Sequence, residues 1–324
     1  MQLVDTAETY ARGVIRPAAR PGIWKRGPVL AALALLLGLI MLLHATIPNQ
    51  RAGNLGSLVE TLLPWFGLFI PVLLAGALWR RSATAVVALL LPVVAWLNLF
   101  GGLLGDKPHP GGTLTVAEQN VNANNPDPAA TARNLAASGA DVLALVELAP
   151  EVVETYEQEL ASAYRYHTVQ GTVGLWSKLP LSHSQPLDIA MDSTRALRTT
   201  VTTDHGPLTV YAAHSGSVRV NPRGGFTTGS RNIGVDALAR AVAADPSKRI
   251  VLLGDLNGTT DDRAFAGLTA QLRSAQDGFA FTWPAKFPLV RIDHILVRGV
   301  EPTGSQVLPA NGSDHLPVTA GLTW

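Results

Sequence analysis

A layered α/β domain behind a membrane anchor of three helices is the fold this chain predicts. Three observations carry that expectation. Three apolar runs crowd residues 28–104, a mixed strand-and-helix pattern begins at Thr113, and 21 of the 24 acidic residues lie beyond Leu104. A length of 324 residues fits two units of different character. The absence of cysteine excludes disulfide staples, thiolate metal sites and cysteine nucleophiles.

The anchor comes first in chain order. Residues 28–47 have His44 as their one strongly polar side chain, and at about 1.5 Å per residue they span roughly the 30 Å hydrocarbon core. Residues 62–79 form a second run, interrupted by Pro64 and Pro71, which membrane helices tolerate. Residues 83–104 form a third, carrying Pro92 and Asn98. A single run of this kind also fits a buried core helix; three in succession point to a bilayer. Arg12, Arg16, Arg20, Lys25 and Arg26 precede the first run, Arg51 alone follows it, and Arg80 and Arg81 join the second to the third. This bias predicts a cytoplasmic segment at 1–27 and a cytoplasmic Arg80–Arg81 turn. Three crossings then place the remainder on the outer face of the cytoplasmic membrane. Residues 105–112, rich in Gly and Pro, read as a linker to a domain at 113–324.

Within that domain, residues 113–119 alternate as a strand and Ala-rich residues 128–138 read as a helix. Residues 141–146 (DVLALV) have the form of a buried strand, and 151–163 that of a charged helix. Further strands are expected at 173–176, 198–203, 208–213, 249–253, 292–297 and 317–322, with a helix at 231–244. Alternation of this kind predicts sheets covered by helices.

Polar residues recur where those strands stop. Asn120, Glu147, His214, and the pair Asp255 and Asn257 each follow a strand; Asp293 opens one, and Asp314 and His315 precede the last. Strand ends gather at one edge of a sheet, where α/β proteins place ligands. Glu147 and Asp314 are hard oxygen donors suited to Mg²⁺ or Mn²⁺, and Asn120 adds a neutral one. Asp255 fits a group that orients or deprotonates water, held with Asn257. His315 fits a donor to a phosphate oxygen with Asp293 fixing its tautomer, and His214 a second donor. Each residue taken alone also reads as a turn former, a solvated strand end or a core histidine; the ordered set is what points to phosphate-ester hydrolysis.

Gln119-Asn120-Val121, DVLALVE ending at Glu147, Gly174 to Pro180, His214, Gly254-Asp255-Leu256-Asn257, Arg291 to Ile295, and Ser313-Asp314-His315 together resemble the endonuclease/exonuclease/phosphatase superfamily, over 113–324. Leu256 stands where that family usually has Phe, and HSGS departs from the usual neighbours of its histidine. The resemblance implies a four-layered α/β sandwich of DNase I type and a divalent-metal phosphoesterase. It implies a metal environment of Asn120, Glu147 and Asp314, with Asp255, Asn257, His214, Asp293 and His315 as water and phosphate machinery. Three spans before such a domain also resemble membrane-anchored actinobacterial members, including teicoplanin-resistance proteins, which implies a polyprenyl-phosphate type of substrate.

Charge bears on the substrate. From Gly105 onward there are 17 Lys and Arg against 21 Asp and Glu, a net of −4, whereas nucleic-acid enzymes present basic surfaces. Arg219, Arg223 and Arg231, in or beside the Gly-rich segment 215–230, read as a phosphate clamp or as a solvated loop. A tether close to the bilayer favours lipid-linked or membrane-proximal phosphate esters. A tethered extracellular nuclease and a catalytically silent phosphate-binding domain are the alternatives.

Overall fold

The computed structural model describes residues 22–49, 52–105 and 112–324. Most of the expected 1–27 segment, Arg51 and most of the expected linker lie outside these residues. Pro28, whose missing N–H costs nothing at a helix start, opens α1 (Pro28–Leu42), and a 3-10 turn at His44–Thr46 extends it. α2 (Leu55–Leu62) tightens to 3-10 geometry at Pro64 and continues into α3 (Phe69–Trp79). Ser82 caps α4 (Ala83–Ala88), accepting from the Ala85 amide at 3.1 Å, and α5 (Leu90–Phe100) follows.

Two stretches, Leu55–Trp79 and Ala83–Leu103, are long and apolar enough to cross a membrane. α1, at 15 residues or about 22 Å, is shorter than the 28–47 span expected of it. Both of its ends are held by neighbouring segments. Ser82 and Thr84 hydroxyls donate to the Arg26 and Trp24 carbonyls before its first turn, while the His44 and Ile47 carbonyls beyond its end accept from Arg263. Small residues let the helices approach: Ala31 and Ala34 pack with Ala77 and Ala85, and a Cβ on Gly38 would meet Leu91 at 2.6 Å. Larger side chains such as Leu36, Val72 and Val94 point outward.

The second unit begins with β1 (Leu114–Asn120), α6 (Pro128–Ala137), β2 (Val142–Val146), α7 (Val153–Leu160), β3 (Tyr166–Gln170), β4 (Val173–Ser177), β5 (Leu181–Pro186), β6 (Ala196–Thr203) and β7 (Gly206–Ala213). It continues with β8 (Arg219–Asn221), β9 (Gly225–Thr227), α8 (Gly229–Ala244), β10 (Ile250–Asp255), β11 (Arg273–Ser274), β12 (Asp293–Arg298), β13 (Glu301–Val307) and β14 (Val318–Thr323). One sheet runs β13-β14-β1-β2-β4-β3, the other β11-β12-β10-β7-β6-β5. Alternation along the strands divides the core. Val116, Ala144, Val210, Leu253 and Ile295 meet between the sheets, Leu143, Leu145 and Trp176 face α6 and α7, and Leu252 and Tyr211 face α8. The result is helix, sheet, sheet, helix, the expected four layers.

β1 and β2 run parallel, as do β7 and β10, so Asn120, Glu147, His214 and Asp255 leave their strands at one rim. β12 is antiparallel to β10 in a register that pairs Asp255 with Asp293. A Cβ on Gly254 would meet the Ala213 carbonyl oxygen at 1.8 Å, so only glycine permits this approach of β10 to β7.

The two units are joined by polar contacts. Glu60, fully buried on α2, accepts from Arg263 Nε at 3.1 Å and Nη2 at 2.9 Å. The Phe226 amide of the β8–β9 hairpin donates to the Gly53 carbonyl at 2.8 Å.

Candidate active site

The turn after β10 builds the centre of the rim. The Asn257 amide donates to Asp255 Oδ1 at 2.8 Å, and Asn120 Nδ2 and Asn257 Nδ2 donate to Oδ2 at 3.0 and 3.3 Å. Asn257 holds φ +51° and Glu147 φ +61°, left-handed conformations that few non-glycine residues adopt and that often mark functional positions. Asp255 is buried beside Asp293, and burial with that neighbouring charge pushes its carboxyl up to about 7.

On the far side of Asp255, His315 Nδ1 lies 2.9 Å from Asp293 Oδ2, and the Thr282 hydroxyl also donates to Oδ2. Burial opposes charge on this imidazole, yet Asp293, with Asp255 and Asp314 near, outweighs it and pushes His315 up to about 10. Its Nε2 remains 3.9 Å from Asp255 Oδ2, directed at the rim. The loop is fixed from below: Ser313 Oγ donates to the Asn120 carbonyl at 2.7 Å, and Gln119 Nε2 to the His315 carbonyl at 3.0 Å.

His214 is buried with neither ring nitrogen hydrogen-bonded. Its Nε2 stands 3.5 Å from Glu147 Oε1 and 3.7 Å from Asp255 Oδ2. Burial, then the nearby Arg195 and His315 charges, push its pKa down to about 3, so this imidazole is neutral. The rim therefore pairs a protonated His315 with a neutral His214.

Of the eleven residues expected at the site, seven meet here through direct contacts: Asn120, Glu147, His214, Asp255, Asn257, Asp293 and His315. Asp314 is exposed beside them, and its carbonyl accepts from the Ala285 amide at 2.7 Å. Asn120 turns its Nδ2 to Asp255 while its Oδ1 accepts from the Asn122 amide at 2.9 Å. Arg231 does not join a phosphate clamp. It is buried on α8, donates to Asp262 Oδ2 at 2.7 Å and packs 5.4 Å from the Phe265 ring centroid. Its position in a helix, with a carboxylate already in place, commits it to packing. Arg219 is exposed on β8 and Arg223 in the turn that follows.

Three site neighbours carried no distinctive sequence signal. Thr282 braces Asp293, and Arg195, just before β6, accepts from the His214 amide through its carbonyl and adds a nearby positive charge. Glu118 belongs to the alternating inward face of β1, so its carboxyl lies buried between the sheets with both oxygens unpartnered. Burial, Asp293 and Asp255 raise its pKa well above the ordinary carboxylate value. A raised folded-state pKa means this group's contribution to stability is full in acid and is lost as pH rises. Glu118→Gln is therefore expected to melt above wild type in chelator, with the gap widening from pH 5 to pH 8. Thermal melts showing a constant gap would contradict this.

The donor set fits a divalent cation. The Asp255 and Asp293 carboxylates offer oxygen atoms within 4.8 Å of one another, and Glu147 lies across His214 from Asp255. Buried acids outnumber the one positive imidazole, and Glu118 and His214 leave four polar atoms without partners. A cation at the rim would offset the excess of buried carboxylate charge.

The model of the Endonuclease/Exonuclease/phosphatase family matches residues 117–315. The fold is similar to D. rerio TDP2 complexed with single-strand DNA product, at 20% identity and TM-score 0.54, covering 64% of this chain and 98% of that one. It is similar to the Bacteroides thetaiotaomicron mannosyl-6-phosphatase at 14% identity and TM-score 0.53, covering 65% and 100%. It is also similar to a Staphylococcus aureus beta toxin with bound magnesium ions, at 15% identity and TM-score 0.52, covering 64% and 99%. Identities this low establish a shared fold alone. No curated protein matches the chain in sequence.

Proposed function

The chain belongs to the endonuclease/exonuclease/phosphatase family, and on that premise we propose that it hydrolyses a lipid-linked or membrane-proximal phosphate ester with a divalent cation. The observation that carries this reading is the convergence on Asp255 of two amides, a neutral imidazole and a charged one within a few ångströms.

Each residue has a role that its surroundings suit. Asp255, pushed up to about 7, is poised as a base near neutral pH, and the Asn120 and Asn257 amides fix the direction of its free lone pairs. His315 holds its proton on the Asp293 side and presents Nε2 as a charged donor to a phosphoryl oxygen. His214, neutral and unpartnered, is available as a second donor to the phosphate or the leaving oxygen. Glu147 and Asp314, with an Asn120 oxygen freed by reorientation, would hold Mg²⁺ or Mn²⁺ beside Asp255. Such a cation supplies Lewis-acid polarisation of the phosphoryl group and neutralises developing charge.

We place the domain on the outer face of the cytoplasmic membrane, as in the actinobacterial type that its architecture resembles. Lys25 and Arg26 lie next to the Arg80–Arg81 turn through Ser82 and Thr84, while the opposite end of α1 meets Arg263 of the second unit. Clustered cations at the end away from the domain support three crossings with that end inside.

Full-length protein in lipid nanodiscs, given a panel of phospholipid, polyprenyl-phosphate, sugar-phosphate and DNA substrates, tests the reading. Phosphate release from a lipid substrate is expected with Mg²⁺ or Mn²⁺, abolished by chelator and reduced at least about a hundredfold by Glu147→Gln. Turnover of DNA with every lipid spared would replace this reading by the nuclease; no turnover with any cation would reject both.

A further inference from the structure

An apolar groove of about 480 Å³ lies between the helical unit and the segment leading to β12, lined in part by Trp65, Ile70, Trp96, Leu97, Phe279 and Phe281. Its volume is that of a small-molecule site. The polar atoms that border it are already satisfied: Trp65 Nε1 donates to the Leu289 carbonyl at 2.7 Å and Trp96 Nε1 to the Pro64 carbonyl at 2.9 Å. Nothing in the lining asks for a charged or hydrogen-bonding ligand.

The groove is continuous with the rim along one strip of chain. Trp65 stacks on Phe281 with centroids 5.2 Å apart, and Phe281 lies 5.5 Å from Phe279, which is 6.2 Å from Trp96. One residue beyond Phe281, the Thr282 hydroxyl donates to Asp293; one further, the Trp283 ring lies 6.5 Å from His315. Among the described residues of the second unit, the large hydrophobics that stand exposed are Val220, Ile233, Trp283 and Phe287. Of these, Trp283 sits on the strip between groove and rim. An exposed aromatic placed there favours contact with an apolar ligand.

We propose that this groove is the subsite for the hydrocarbon chain of the phosphate ester, with Trp283 and Phe281 guiding the chain from the rim to Trp65 and Trp96. The assignment rests on the phosphoesterase reading for the head group alone. The groove abuts Leu55–Trp79 and Ala83–Leu103, the two stretches apolar enough to cross a membrane, so a chain can enter sideways from hydrocarbon. A phosphate held at His315 then has its tail directed away from the polar rim.

Two measurements on the full chain in nanodiscs test this. The first is kcat/KM for alkyl phosphates and alkyl p-nitrophenyl phosphates of increasing chain length, below their micellar concentrations. Each added methylene is expected to raise kcat/KM about fourfold until the groove fills. Val93→Trp and Leu97→Trp, which fill the groove, are expected to bring the long-to-short ratio down by at least about tenfold. Each must first melt like wild type. The second is photo-crosslinking with a terminal-diazirine decyl phosphate, which needs no turnover. Label is expected on peptides containing residues 64–71, 93–97 or 279–281, competed by decyl phosphate at concentrations where neutral decyl maltoside does not compete. A flat chain-length profile with hydrolysis intact overturns the subsite and leaves the phosphoesterase standing. Absence of hydrolysis with label in the groove rejects the phosphoesterase while keeping the lipid-phosphate site. Equal competition by the neutral amphiphile marks a general lipid contact and overturns the proposal.

Discussion

Asp255→Asn is expected to lower kcat by at least about a thousandfold while the protein still folds. The substitution is isosteric and keeps one oxygen, enough for either the Asn257 backbone amide or the two side-chain amides, so the turn after β10 keeps part of its bonding. It removes the carboxylate at the centre of the rim, and neither histidine replaces it as a base. His214 is neutral but too weak a base, with its pKa down at about 3; His315 already carries its proton. Stability is expected to move the other way. Burial and Asp293 raise the folded-state pKa of Asp255, so its contribution is full in acid and lost as pH rises through about 7. In chelator the variant should therefore melt at or above wild type at pH 8, with a smaller difference at pH 5. Loss of activity accompanied by a falling melting temperature at pH 8 would mark Asp255 as structural instead.

Arg263→Ala carries the second large effect. Glu60 is fully buried on α2, and its described partners are Arg263, through side chain and amide, and His44 at 3.3 Å. Arg263 also donates to the Ile47 and His44 carbonyls at 2.8 Å each. Removing the guanidinium leaves Glu60 the residue-263 amide and His44 as partners and frees two carbonyls, a change of about 3 kcal/mol, the low end for a pair broken on one side. The loss is expected at the junction rather than in the sheets. Proteolysis of nanodisc-embedded protein should become faster between the helices and the second unit, with the second unit's own melt little changed. The double variant Glu60→Gln with Arg263→Met should recover most of the loss, since it leaves no buried charge. Junction proteolysis at the wild-type rate in Arg263→Ala would show that this contact does not hold the units together.

Much of this was legible in the sequence because burial writes itself in side-chain pattern. β2 is five consecutive apolar residues flanked by α6 and α7, and it was readable within one residue. Strands β3, β5 and β13 were not, since each has an exposed, polar face at or near a sheet edge and no apolar run. The rim was legible because its residues sit at strand ends, where packing does not choose them. Arg231 misled for the complementary reason. It opens the helix expected at 231–244 yet stands beside a Gly-rich segment with two other arginines, and the carboxylate that claims it lies 31 residues away. No local pattern announces such a pair. Glu118 was visible as a strand residue, yet its burial depends on the second sheet closing over it.

The most direct measurement is a Mn²⁺ titration of the full chain, followed by electron paramagnetic resonance with and without orthophosphate. A saturable site is expected, displaced by Mg²⁺, tightened by phosphate, and weakened at least about tenfold by Glu147→Gln and by Asp314→Asn. Mn²⁺ binding that ignores both substitutions, or phosphate binding indifferent to the cation, would contradict a rim that holds the two together.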